Sequence, residues 1–141
     1  MATFNKINAF VENVAEKVHN LGSDQLKVAL TNTAVVATNS VYADLTAPLA
    51  TTNLSGATPF NITTTTSAQT SGTYKLVLAD LVLTATGAVG PFRYVAIYND
   101  TPTSPADPLI GWYDYGSSIT LQSGDTFAID FDAANGFITI A

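Results

Sequence analysis

"LIGWYDYG", Leu109 to Gly116, sets three bulky aromatic residues, Trp112, Tyr113 and Tyr115, into one short run that ends in glycine. With the two-residue period of a strand, Ile110, Trp112 and Asp114 share one face and Leu109, Gly111, Tyr113 and Tyr115 the other. Both faces carry apolar bulk. A strand with one solvated face would alternate apolar with polar residues. This one is therefore expected to lie between a β core and a second layer supplied by a helix, an arm or a neighbouring subunit. The competing reading is a ligand platform, for instance for a sugar, with Tyr113 and Tyr115 facing outward beside Asp114. Packing is the preferred reading, and Tyr113 and Tyr115 are kept as candidate ligand-facing aromatics.

Strand signals continue on both sides of this run. Residues 60–67, 74–86, 92–98, 118–121, 126–132 and 136–140 are rich in branched and aromatic residues and are separated by turn residues, notably Ser71-Gly72, Gly87 to Pro91, Ser123-Gly124 and Asn135-Gly136. "KLVLADLVLTA" alternates on both sides of an expected irregularity at Ala79-Asp80, and "NDTPTSPADP" is a proline-rich loop. "DQLKVALTN" adds an earlier strand, with Leu26, Val28 and Leu30 on one side and Lys27, Ala29 and Thr31 on the other. Short strands at this spacing predict a mainly β chain, an antiparallel β-sandwich or jelly-roll-like domain. No internal repeat of fixed period is present.

Ahead of these strands, Phe4, Ile7, Phe10, Val11, Val14, Val18 and Leu21 follow three-and-four spacing and predict one amphipathic helix within residues 1–22. Thr3 or Asn5 is the expected cap and Gly22 the expected stop. Phe4, Phe10 and Val14 either cover the sheet or bind a neighbour; covering is preferred, and they stand as candidate partner contacts. Residues 32–59, rich in Thr, Ala and Asn, read as an extended surface arm or loop with one short strand around Val41 to Leu45. The expected organisation is one domain over 1–141: the N-terminal helix at 1–22, the arm at 32–59 and the β-sandwich body at 60–141.

Composition removes several chemistries. Five Lys and Arg stand against eleven Asp and Glu, a net charge of −6, and no window gathers the basic residues into a patch, so no nucleic-acid partner is expected. Cysteine is absent, which excludes disulfides and thiolate nucleophiles. Glu12 and Glu16 interrupt the apolar N-terminal pattern, unlike a secretory signal, and Asp80 interrupts the most apolar window, so no membrane partner is expected.

Candidate reactive groups are sparse. His19, the sole histidine, is expected to be exposed or subunit-facing. The acidic run "DTFAIDFDAANG" imitates a calcium loop poorly, because Ala134 occupies the fifth position and Gly136 comes one residue late. Its simpler reading turns Phe127, Ile129 and Phe131 inward and Ala128, Asp130 and Asp132 outward, with a hairpin at Asn135-Gly136. Asp114, Asp125, Asp130 and Asp132 come from neighbouring segments and are the carboxylates that could meet as a hydrolytic pair. A non-enzyme is expected, with no catalytic residues, cofactor or metal.

At "LGSDQLKVALTNTAVVATNSV" and "FRYVAIYNDTPTSPADPLIGWYDYGSSITLQSGDTFAIDF" the chain resembles a group of small structural proteins of tailed bacteriophages. The resemblance covers most of the chain. It includes a Leu-Lys-Val-x-Leu-Thr-Asn strand and a "Tyr-Asn-Asp-Thr" segment ahead of an "Ile-Gly-Trp" strand; where that group often has proline after Asn-Thr-Ala, this chain has Val35. It implies a virion component made in the host cytoplasm, of the capsid decoration or cement type. That component would bind the major capsid protein on the capsid surface, stabilise it by bridging capsid subunits, and form a trimer or dimer. The same residues leave two alternatives open: a carbohydrate- or receptor-binding module, and a head-tail connector or tail component.

Overall fold

The computed structural model describes residues 2–141. It contains nine strands and a single α-helix: β1 (Phe4–Lys6), α1 (Ala9–Ala15), β2 (Leu26–Thr31), β3 (Thr64–Thr70), β4 (Thr73–Leu78), β5 (Leu81–Thr84), β6 (Val89–Asn99), β7 (Leu109–Leu121), β8 (Thr126–Ile129) and β9 (Ile138–Ile140). The chain is mainly β with one N-terminal helix, as expected. All strand pairs are antiparallel. They form a four-stranded sheet in the order β1-β7-β6-β2, a three-stranded sheet β3-β4-β9 and a two-stranded ribbon β5-β8.

β7 is central in the largest sheet, and Leu109, Ile110 and Gly111 are buried on both of its faces. Its second half belongs to the same strand: Gly116, at φ 97, bends β7 rather than ending it, and Ile119 and Leu121 pair with Phe92 and Val89 of β6. The expected separate strand at 118–121 is therefore the continuation of the aromatic run. Apolar residues from each sheet and from the ribbon, including Leu30, Leu76, Leu83, Ile97, Ile110 and Phe131, join one buried cluster. The expected irregularity at Ala79-Asp80 is the point at which the chain leaves the three-stranded sheet and enters the ribbon.

The helix expected over 1–22 is corrected to seven residues. Phe4–Lys6 instead form an edge strand on β7, with Asn5 opposite Trp112, and Ile7 N–H donates to the Ile110 carbonyl at 3.0 Å. Pairing with β7 satisfies backbone groups along the free side of a central strand, and that outweighs the helical spacing of Phe4 and Ile7. α1 starts at Asn8 without a side-chain cap and stops at Glu16, followed by Lys17 at φ 67, so neither Thr3, Asn5 nor Gly22 has the expected capping role.

The arm is corrected as well. Residues 32–59 lie against the body, burying Val35, Leu45 and Leu54, and contain a one-turn 3-10 helix at Tyr42–Asp44 in place of the short strand. β2 is an edge strand in its ladder, and this segment with its continuation covers that edge: Leu49 N–H donates to Leu30 O, Val28 N–H to Phe60 O and Ile62 N–H to Leu26 O. The Thr31 hydroxyl, fully buried, donates to Thr46 O at 2.6 Å. A covered edge cannot recruit a foreign strand, which gives this polar segment a structural role.

Asn135-Gly136 does not close a hairpin between β8 and β9. β8 pairs with β5 and β9 with β4, so the turn carries the chain from the ribbon to the three-stranded sheet. Gly136, at φ 89, donates its N–H to Asp132 O and lies against the Lys75 side chain, where a Cβ would collide. Ser71-Gly72, by contrast, is the hairpin turn between β3 and β4.

Candidate functional site

β8 crosses beside β6 and β7 and leaves a groove of about 340 Å³ whose walls include Val95, Tyr113, Tyr115, Phe127, Ile129 and Asp130. β7 supplies the two tyrosines because residues 113 and 115 share one strand face. Tyr115 is 53% exposed, and its ring meets Phe127 edge-on at 5.5 Å between centroids. Tyr113 is half-buried and lies in a chain of rings: Phe4 at 5.4 Å on one side and Phe131 at 6.4 Å on the other. The two candidate ligand-facing aromatics thus share one groove and differ in freedom. Tyr113 is held by its neighbours and Tyr115 stands at the rim.

The groove is electronegative. Burial together with Asp130, Asp132 and Asp80 pushes the Tyr113 hydroxyl up to about 12, so it stays protonated at neutral pH. The carboxylates are built into the turns: Asp130 Oδ1 accepts from Asp132 N at 2.7 Å, Asp80 Oδ1 from Phe131 N at 3.0 Å, and both Asp132 oxygens from Asn135 Nδ2. As the alternation of 127–132 implies, Ile129 and Phe131 are buried and Ala128 and Asp130 exposed; Phe127 is only half-buried and Asp132 intermediate. Among the described residues, no group of three or more His, Cys, Asp or Glu is arranged to hold a metal ion.

The N-terminal candidates lie elsewhere. Phe4 is half-buried on Tyr113 and on Phe137, whose ring centroid is 4.7 Å away; Phe10 is buried; Val14 is half-buried against the core. Of the two roles open to them, the burial of Phe10 fits the preferred covering role. The large apolar side chain exposed on α1 is Val11, at 54%.

His19 is buried, against the expectation of an exposed side chain. Its ring lies 5.2 Å from that of Phe10, and Nδ1 is 3.1 Å from Asn99 Nδ2. Asn99 Oδ1 accepts from Thr101 N, which fixes the amide, so Nδ2 is the donor and Nδ1 the acceptor. The neutral ring then carries its proton on Nε2, which has no partner among the described residues. Desolvation lowers the His19 pKa, opposed by the charge of Asp24, to which Asn99 Nδ2 also donates at 2.7 Å. Thr101 Oγ1 accepts from Gln25 N and Asp100 N donates to Gln25 O. The "Tyr-Asn-Asp-Thr" segment is therefore a latch that fastens the end of β6 to the segment leading into β2.

Two further features surround β6. Arg93 forks onto Asp114, Nε to Oδ1 at 2.7 Å and Nη2 to Oδ2 at 3.0 Å, and lies 5.3 Å over the Tyr94 ring. A second cleft, about 380 Å³, is bordered by Lys27, Tyr42, Phe60, Asn61 and Tyr98, with Lys27 paired to Asp100 at 3.0 Å. Sequence reasoning found Tyr113 and Tyr115 but set Asp114 beside them, which pairs instead with Arg93, and missed Asp130 and Phe127 as groove walls. No protein-family model, curated protein or solved structure matches the chain.

Proposed function

We propose that this chain is a non-enzymatic structural protein of a tailed-bacteriophage virion, seated on the capsid exterior, where it bridges and stabilises subunits of the major capsid protein, itself as a trimer or dimer. The resemblance carries the reading, and one structural observation supports it. The two similar stretches, 21–41 and 92–131, fold onto each other as β2, β6 and β7 of one sheet, so the likeness spans a connected scaffold. Its recurring residues have structural roles in that scaffold: Asn99 and Thr101 form the latch, and Gly111 admits the Phe4 ring.

We read the body as a β-sandwich. Support comes from Phe92 of β6 meeting Phe127 of β8 edge-on at 5.1 Å, and from Leu76 and Leu78 of β4 sharing the buried cluster with Leu109 and Ile110 of β7. The bridging surface differs from the one the sequence suggested. Phe10 of α1 and Val35, Leu45 and Leu54 of the arm are buried in their own chain, and we assign the capsid contact instead to the groove rimmed by Tyr115 and Asp130. Grooves with exposed aromatic walls are the usual seats of interface anchors.

The test is the copy number of this chain relative to the major capsid protein in purified particles. Lattice stoichiometry supports the decoration reading, and a single ring's worth of copies moves the protein to the connector or tail. Absence from particles overturns the virion reading.

A further inference from the structure

Resting on the reading of this groove as the partner-facing surface, we infer that it receives an arginine side chain from a different polypeptide, stacked on Tyr115 and hydrogen-bonded to Asp130. The walls are chemically specific. Tyr113, Tyr115 and Phe127 present aromatic rings, Val95 and Ile129 present aliphatic surface, and the rim carries an exposed carboxylate. Aromatic faces are electron-rich and attract cations, and a guanidinium adds a flat surface that stacks and a fork of N–H donors that fits a carboxylate. Its methylene stem suits the Val95 and Ile129 surface. Asp130 uses Oδ1 in its own turn and keeps Oδ2 for such a donor.

Charge complementarity identifies the occupant. Asp80, Asp130 and Asp132 form no ion pair among the described residues, while the chain's ion pairs are Lys27 with Asp100 and Arg93 with Asp114. Lys75 is engaged with Ala134 O at 2.7 Å. Burial raises the Tyr113 pKa, and Asp130, Asp132 and Asp80 raise it further, so their field reaches the aromatic wall. A second copy is a poor source of the anchor, because Arg93 is the only arginine in the sequence and already forks onto Asp114 over Tyr94.

The experiment is a titration of the full chain with N-acetyl-arginine amide, followed by the aromatic NMR signals of Tyr113, Tyr115 and Phe127, with N-acetyl-citrulline amide as the uncharged isostere. Saturable shifts at these rings with the arginine probe, weakened by salt, are expected. Asp130→Asn, which keeps the Oδ1 acceptor of the turn, should weaken binding by about tenfold, the scale for losing a hydrogen bond to a charged group. Tyr115→Leu, at an exposed rim position, should weaken it too. Equal response to citrulline, shifts confined to other parts of the molecule, or an unaffected Asp130→Asn variant would overturn the assignment. Failure here with lattice stoichiometry in particles sinks the arginine anchor alone; arginine binding without particle association sinks the virion reading and leaves the anchor.

Discussion

Gly111 sits where the Phe4 ring crosses β7, and a Cβ there would run into that ring and into the Asn5 carbonyl. The backbone carbonyl cannot step aside without breaking the β1–β7 pairing. Gly111→Ala should therefore cost about 2 kcal/mol, within the usual range for overpacking, read as a lower urea midpoint at unchanged slope. His19 makes the opposite kind of demand, for neutrality. Because its folded pKa lies below the ordinary histidine value of 6.5, the unfolded chain takes up the proton first as pH falls, and stability drops as pH falls below 6.5. Asp24 is the charged group that moderates the penalty, while Phe10 and Asn99 offer the imidazolium no negative charge. Urea midpoints measured from neutral pH down to the edge of the carboxylate range should decline, and His19→Asn, which keeps an acceptor for the Asn99 amide, should flatten that decline. A wild-type midpoint that stays level over this window would contradict a buried neutral imidazole.

At the scale of elements, β1 protects β7 in the way the arm protects β2. Deleting residues 2–8 would strip the free edge of a long central strand and uncover Gly111 and Tyr113, so the truncated chain should self-associate, which light scattering would detect as a mass above that of the intact chain. Unchanged mass would mean that β7 needs no cover. The strands themselves were legible because alternation and turn chemistry act locally: the Ser71-Gly72 hairpin and the break at Ala79-Asp80 both fall where the sequence puts them. The N-terminal segment was misread because Phe4, Ile7 and Phe10 suit a helix face equally well as an edge strand followed by a short helix. Only β7, more than a hundred residues away, decides between them. For the same reason the groove was half legible. Tyr113 and Tyr115 can be picked out from strand parity, whereas Asp130 and Phe127 become walls only through the placement of β8, paired with β5, beside them, for which no local signal exists.

Across the whole molecule, the division into two sheets and a ribbon does not divide the core. Phe131, fully buried just past β8, contacts Tyr113 of the four-stranded sheet and, at 5.7 Å, Phe137, which leads into β9 of the three-stranded sheet. Phe4 closes the same aromatic cluster from the N-terminus through Tyr113 and Phe137. Removing the Phe131 ring would open a cavity shared by all of these segments, at a cost of about 3–5 kcal/mol. Since no segment can relax by itself, the loss should appear as a shift of the entire unfolding transition. Trp112, the only tryptophan, reports on the largest sheet by fluorescence, and far-UV circular dichroism reports on all strands together. For Phe131→Ala the two denaturation curves should move down together and remain superimposed, the behaviour of one cooperative unit. If the fluorescence curve held its position while the dichroism curve moved or split, the ribbon and the three-stranded sheet would be unfolding on their own, and the shared aromatic cluster would not be what couples them.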